Sequence, residues 1–361
     1  MTKETGAKKF FLDIEPDGIE KLIVAAGHDA YRAAQIVTWV YQKQCDDFST
    51  CTNIPADLRT YLSQHYYLRS MTIAGKKMSA IDGTVRYEFK TRDNLSVFAV
   101  FLPTRDRRTV CISSQVGCPI QCRFCASGAV KMKRNLTRGE IVEQVLALSK
   151  DTGQRITGVL FMGMGEPLLN YNAVVSSVRS LTDFHQFGIG RRHITLSTVG
   201  IVPLIRRLAE EQLGVRLALS LHAPDDDVRR TLISERVVPF RIVDILEAGL
   251  FYSRKNKTRL TLEYIVFDGV NDDMKTMKSF VDLIARHVHP TDLLQVNLIA
   301  YNDTVHDSMH MEGSKTRLRL APPRRETMEH IKNFLIKRDI LAIIREPKGA
   351  DIEAACGQLG F

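Results

Sequence analysis

The chain has 361 residues, 44% of them hydrophobic and 25% charged, which excludes a disordered or low-complexity protein and leaves room for one large domain with a smaller appendage. The N-terminus lacks a signal-type apolar segment and no later apolar run approaches a membrane span, so a cytoplasmic protein with no membrane partner is expected. A formal net charge of +9, with basic pairs at Arg107-Arg108, Arg191-Arg192, Arg206-Arg207, Arg229-Arg230 and Arg324-Arg325, favours a polyanionic partner, nucleic acid above all.

Residues 1–75 read as a small helical accessory domain. Glu20 to Ala26 is apolar-rich, Ala30 to Lys43 places Ala33, Ile36, Val37 and Val40 on one helix face, and Ala56 to His65 follows a polar stretch containing Pro55. Cys45 and Cys51 lie here and read as packing residues rather than metal ligands. From Lys77 to Leu102 the pattern alternates around an Asp82-Gly83 turn, which predicts a short β extension or linker over 76–103.

From Thr109 onward strands and helices take turns. Strands are expected over Thr109–Ser113, Gly158–Met162, His193–Ser197, Val215–Ser220, Leu260–Val266 and Leu294–Ile299. Helices are expected near Thr137–Lys150, Asn172–Thr182, Val202–Glu211, Ile242–Arg254, Asp273–His287 and Arg324–Lys337, with a further candidate strand over Ile340–Arg345. Such alternation predicts a parallel sheet covered by helices: an α/β fold, a partial TIM-type (β/α)6 barrel over 104–348. The last segment, 349–361, stands apart from it.

The chemistry is concentrated just after the first strand of that unit. Cys118, Cys122 and Cys125, spaced C-x3-C-x2-C with no fourth cysteine nearby, hold three corners of a [4Fe-4S] cube and leave one iron open to an outside ligand. A structural zinc site wants a fourth protein ligand, and seven unevenly spread cysteines do not read as a disulfide framework. In a barrel the active site is built from the loops after the strands. Gly163-Met164-Gly165-Glu166-Pro167, Ser197, Ser220-Leu221-His222 and Asn297 all fall at such strand ends. The two glycines admit close approach of a ligand to the backbone, and Glu166 offers a carboxylate to an ammonium; Ser197, Ser220 and Asn297 offer hydrogen bonds to ribose or carboxylate oxygens. No partner in sequence makes His222 a general base. Two thiols lie outside the triplet, Cys111 in the first strand and Cys356 among small residues near the C-terminus, and both invite covalent chemistry with exchange between them.

Six motifs stand in order: Cys111-Ile112-Ser113-Ser114-Gln115-Val116-Gly117-Cys118, Gly163-Met164-Gly165-Glu166-Pro167, Leu196-Ser197-Thr198-Val199-Gly200, Ser220-Leu221-His222-Ala223-Pro224, Val296-Asn297-Leu298-Ile299 and Ala354-Ala355-Cys356-Gly357-Gln358-Leu359. Together they resemble the RlmN/Cfr family of radical S-adenosylmethionine (SAM) RNA methyltransferases. The resemblance implies a [4Fe-4S] cluster on Cys118, Cys122 and Cys125, and SAM held by Gly165, Glu166, Ser197, Ser220, Leu221, His222 and Asn297, two molecules per turnover. It implies that Cys356 is first S-methylated, that a second SAM is cleaved reductively, and that Cys111 resolves the RNA adduct through a transient Cys111-Cys356 disulfide. The implied reaction is methylation at C2 of adenosine in 23S rRNA and in tRNA, with an electron donor such as flavodoxin or ferredoxin; methylation at C8, or another RNA, is the alternative. One position departs from the family. Members carry a glutamate, proposed as the general base, where this chain has Phe98 in Val97-Phe98-Ala99-Val100; Glu88 and Asp93 lie upstream, but spacing selects neither, and the base stays unassigned.

Overall fold

The computed structural model describes residues 7–235, 237–303 and 320–360; the first six residues, and Phe361 at the end of the C-terminal segment, lie outside these. Strand β1 (Lys9–Phe10) pairs in parallel with β2 (Tyr66–Tyr67), bracketing helices α1 (Pro16–Ala25), α2 (Arg32–Val37) and α3 (Ala56–His65). Pro16 starts α1 because its fixed φ suits the first helical position and its missing N–H has no helical partner there. The single helix expected over Ala30–Lys43 is broken: α2 passes into a π-helical turn, Thr38–Gln42, closed by Lys43 N–H to Thr38 O at 2.9 Å. The turn buries the consecutive Val40 and Tyr41. This core, built on Phe11, Ile19, Ile23, Ile36, Leu58 and Leu62, also takes in Val142 and Leu146 from a barrel helix. Cys45 and Cys51 are buried in it with their sulfurs 3.9 Å apart.

The expected hairpin is three strands, β3 (Met71–Met78), β4 (Val85–Thr91) and β5 (Ser96–Pro103), all antiparallel. The first begins ahead of residue 76 and was hidden in the pattern because it is an edge strand, mostly exposed, with Gly75, Lys76 and Lys77 in place of alternating apolar residues. It is no separate linker, since β5 pairs with β6 (Arg108–Cys111) and so continues the barrel sheet. Beyond β6 a two-strand clip, β7 (Gln115–Val116) and β8 (Arg134–Asn135), closes the cysteine loop, which also holds the short helix α4 (Ala126–Ala129).

The barrel then runs α5 (Arg138–Thr152), β9 (Gly158–Phe161), α6 (Tyr171–Thr182), β10 (Ile194–Thr198), α7 (Val202–Glu210), β11 (Arg216–Ser220), α8 (Asp226–Leu232), α9 (Ile242–Asn256), β12 (Leu260–Val266), α10 (Met274–His287), β13 (Leu294–Ala300), α11 (Arg325–Ile336) and β14 (Ala342–Arg345). A Thr137/Glu140 capping box starts α5. Strand order β14-β13-β12-β11-β10-β9-β6 is parallel throughout, so the candidate seventh strand is real and the barrel stays open, with β5-β4-β3 added at one edge. Leu217, Leu219, Leu262, Tyr264, Val296 and Leu298 are buried under the helices. Their neighbours in the alternation, among them Thr195, Thr261, Glu263, Gln295 and Asn297, line the barrel cavity. No helix among the described residues is long and apolar enough to cross a membrane.

Candidate active site

A cavity of about 480 Å³ runs along the inside of the open barrel, and its walls include Cys111, Cys125, Gly163, Glu263, Asn297 and Cys356. Of the sequence-predicted residues, Cys111 of β6, Cys125 of the cysteine loop, Asn297 of β13 and Cys356 of the C-terminal segment are thereby brought to one space, while Cys118, Cys122, Gly165, Glu166, Ser197, Ser220, Leu221 and His222 do not line it. Ser197 and Ser220, at the ends of adjacent parallel strands, face each other with Oγ atoms 3.3 Å apart.

The cysteine loop is shaped by its glycines. Gly117 has φ +80°, and a Cβ there would fall 2.7 Å from the Lys131 carbonyl; a Cβ on Gly128 would fall 2.8 Å from the Cys122 carbonyl. Cys125 N–H bonds Cys122 O at 3.2 Å, and Gly128 N–H bonds Cys125 O at 2.9 Å. Among the described residues no three His, Cys, Asp or Glu side chains converge tightly enough for a single ion, as zinc requires, whereas a cube takes each of its thiolates on a different iron. Burial pushes the Cys118 thiol up to about 12 and raises Cys122 and Cys125 as well. Three thiols of high pKa on one loop are stabilised as thiolates by a cationic centre, and this donor set fits the [4Fe-4S] cube.

The Gly163–Pro167 loop packs on the strand-one motif more closely than a ligand-facing reading foresees. A Cβ on Gly163 would fall 2.7 Å from Ile112 and Ser113, and one on Gly165, at φ +99°, 2.6 Å from Gln115. Ser113 Oγ accepts from Met164 N–H at 2.9 Å, and Gln115 Oε1 from Glu166 N–H at 2.8 Å. Glu166 is buried and accepts from Leu168 N–H at 3.0 Å and Val199 N–H at 2.8 Å, tying the loops after β9 and β10 together. Burial raises its carboxyl to about 7 against the pull of those amides. The Leu221 side chain is in the core; its backbone N–H bonds Glu263 O at 3.1 Å. His222, at φ +60°, is also buried: its Nδ1 accepts from Ile265 N–H at 3.1 Å and its ring stands edge-on to Phe124 at 4.9 Å. Burial, then the Arg229 charge, holds it at about 3 and hence neutral. His222 braces the cysteine loop from behind.

The C-terminal segment is stitched to the site from three sides. Gly349, with φ +65°, turns it in, and its N–H bonds Asp82 Oδ2 at 3.1 Å. Ala126 N–H bonds Gly357 O at 2.7 Å, Ser127 Oγ bonds Leu359 O, and Asn302 Nδ2 bonds Cys356 O at 3.2 Å. Arg86 reaches Glu353 at 2.9 Å with its guanidinium 4.5 Å over the Phe98 ring. Phe98 itself packs with Cys111, Met164, Ile352, Ala354 and Leu359. Glu88 accepts from Ser96 Oγ at 2.9 Å, and Asp93 pairs with Arg134 at 2.7 Å, well below the usual carboxylate range; neither lines the cavity. Cys356 opens to solvent through the cavity, yet its enclosure there, followed by the Glu263 charge, raises its thiol to about 11. Cys111 is buried, and burial with the Cys356 charge raises it further.

Three residues escaped the sequence reading. Arg229, taken as half of a basic surface pair, is buried and donates to Ser220 O at 2.9 Å, Leu221 O at 2.6 Å and Val199 O at 2.5 Å. Gln144 of α5 clamps Ser113, accepting from its N–H at 2.8 Å and donating to its carbonyl at 3.0 Å. Glu263 accepts from Asn297 Nδ2 at 2.9 Å, and burial raises its carboxyl to about 7. Its signal was present: a lone carboxylate inside the apolar run Leu260–Val266.

The Radical SAM superfamily profile matches residues 112–284, and the ribosomal RNA large subunit methyltransferase N-terminal domain matches residues 11–68. A protein of Endomicrobium trichonymphae named "Probable dual-specificity RNA methyltransferase RlmN" is 43% identical over 354 residues, covering 98% of each chain. A protein of the same name from Thermotoga petrophila is 40% identical, covering 97% of each. A radical SAM methyltransferase from Sphaerobacter thermophilus, solved by crystallography, superposes with a TM-score of 0.86 at 36% identity over 97% of this chain and 98% of that one. From the barrel, the cysteine loop and these relationships, it follows that the chain belongs to the RlmN family of radical SAM RNA methyltransferases.

Proposed function

We propose that this chain methylates C2 of an adenosine in 23S rRNA and of one in tRNA, carrying the new carbon on Cys356. The observation that supports the reading is the presence of Cys356, Cys111 and the cluster-loop residue Cys125 on the walls of one cavity. Cys118, Cys122 and Cys125 would hold a [4Fe-4S] cluster, which with SAM would supply reductive cleavage and hydrogen abstraction. The rest falls to the chain. Adenine C2 is an electron-poor carbon and no nucleophile, so direct displacement on SAM fails and a protein thiol has to relay the methyl group, at two SAM per turnover. Cys356 opens into the cavity and takes the methyl. After that carbon has joined the ring and the ring has given up its C2 proton and one electron, Cys111 loses its proton and attacks the Cys356 sulfur, forming the S–S bond as the bond from sulfur to the base-linked carbon breaks. The carbon keeps the electron pair and takes up a proton to become the methyl group. A flavodoxin- or ferredoxin-type donor supplies the electron for SAM cleavage and the two electrons that return the disulfide to thiols. Both thiols are held protonated by their surroundings, and Phe98 supplies no acceptor. Glu263, on the same cavity and with its charge felt by Cys356, is assigned the Cys356 proton. Ser197, Ser220 and Asn297 are assigned to SAM from the strand ends, while Gly165, Glu166, Leu221 and His222 shape the rim behind it. The base must leave its stack to enter, as enzymes acting on a ring carbon require.

Mass spectrometry of digested RNA after anaerobic turnover should show 2-methyladenosine. Cys111→Ala should trap a covalent protein–RNA adduct and Cys356→Ala should form none; normal turnover by both variants would refute the thiol relay. Phe98 favours one second reading, C8 methylation or a different RNA, and 8-methyladenosine in the digest would select it.

A further inference from the structure

The cavity has a second end. At the N-terminal ends of the strands, opposite Cys356, it is lined by Arg107 before β6, Arg192 before β10, Arg216 at the start of β11 and Arg259 before β12. All four side chains are exposed there. Elsewhere several surface arginines find carboxylates, among them Arg69 with Asp46, Arg134 with Asp93, Arg179 with Glu211, Arg241 with Asp244 and Arg254 with Asp292, while others, such as Arg155 on Gly188 O and Arg207 on Asn172, stand singly on neutral groups. Among the described residues Arg107, Arg192 and Arg216 meet none, and Arg259 bonds only the neutral Gln295, at 3.0 Å. The carboxylates on the cavity wall do not belong to this end, since Glu263 lies midway along β12 and Glu346 follows the C-terminal end of β14. Arg216 is held below its ordinary pKa by partial burial, then by Arg259, Arg107 and Arg192.

Like charges gathered at one mouth repel one another, and a bound anion relieves the repulsion. Just inside the mouth the wall carries the hydroxyls of Thr109, Thr195 and Thr261, while that of Thr157 is bonded to the Arg108 backbone. Guanidinium forks in front of a hydroxyl layer match the charge and the acceptor-rich shape of a phosphate group. We propose that the barrel floor is a phosphate-binding site, with Arg107, Arg192, Arg216 and Arg259 holding the oxyanion against the threonine hydroxyls. The phosphate comes either from the RNA backbone, gripped at the face remote from the target base, or from a free phosphorylated solute. The site stands independently of the ring position methylated at the other end.

The test compares the full-length protein with R216E/R259E, checking by circular dichroism that the variant folds. If that pair fails to fold, R107A/R192A replaces it. In one arm, inorganic phosphate and pyrophosphate are titrated against chloride at equal ionic strength, and the thermal shift is read. In the other, binding of substrate RNA is measured across a salt series. A free phosphorylated ligand predicts a phosphate-specific shift that the variant loses while its RNA binding is unchanged. An RNA source predicts roughly tenfold weaker RNA binding, with the salt slope reduced by about two. Variant and parent behaving alike in both arms would overturn the proposal.

Discussion

Arg229→Met tests whether the rim is held from inside by one guanidinium. The substitution removes three charge-assisted bonds, to Val199, Ser220 and Leu221, and leaves those carbonyls without that donor in a buried position. Bonds of this kind contribute about 1.5–3 kcal/mol each, so the gross loss is roughly 4.5–9 kcal/mol. Against it stands the cost of burying the charge: burial pulls the Arg229 pKa from 12.5 to about 10, equivalent to roughly 3 kcal/mol that the methionine does not incur. The net destabilisation is about 1.5–6 kcal/mol, or roughly 2–8 °C in melting temperature for a cooperative unit of this length. The three carbonyls belong to the loops after β10 and β11, so SAM affinity should fall with stability; Arg229→Lys, with fewer donors, should lie between. Thermal melts followed by circular dichroism and equilibrium dialysis with labelled SAM, both anaerobic, measure the two effects. A melting temperature within a degree of the parent and unchanged SAM affinity would refute the reasoning.

Gly165→Ala forces a Cβ into a φ of +99° and 2.6 Å from Gln115, so SAM binding should drop at least tenfold; dialysis indistinguishable from the parent would show that the loop tolerates the methyl group. Burial raises the Glu143 carboxyl from 4.5 to about 7. A raised carboxyl contributes stability that is present below about pH 4.5 and lost as pH climbs through about 7, here at most about 3 kcal/mol. Denaturant midpoints should therefore fall from pH 5 to pH 8, and Glu143→Gln should flatten that fall; a parallel pH profile would contradict the assignment. Glu353→Ala removes the carboxylate shared by Arg86 and Lys77, and carboxypeptidase should then shorten the C-terminal segment several-fold faster than in the parent. Equal rates would mean that the Arg86 contact does not hold the segment.

The sequence by itself determined what depends on near neighbours in the chain. Three thiolates within eight residues, alternation of strand and helix patterns, and glycines at strand ends are local signals, and they were enough for the cluster loop, the barrel and the family. Leu260–Val266 and Ala56–His65 have the boundaries their patterns predict, because one is a run buried on both faces and the other a helix with a polar start. Edge strand β3 left no pattern because exposed strands need no apolar alternation, and the π turn at Thr38–Gln42 depends on which residues the accessory core has room to bury. Only the tertiary structure decided what Cys356 faces, since that rests on bonds from the tail to Ala126, Ser127, Asn302 and Arg86, each far away in sequence. The same holds for the arginines. Arg229 and Arg216 carry the same charge on neighbouring elements, yet one is buried against carbonyls at the rim and the other is exposed at the floor. Their place along the strand axis, which the sheet fixes and composition does not, separates a brace for the active site from a surface for an anion.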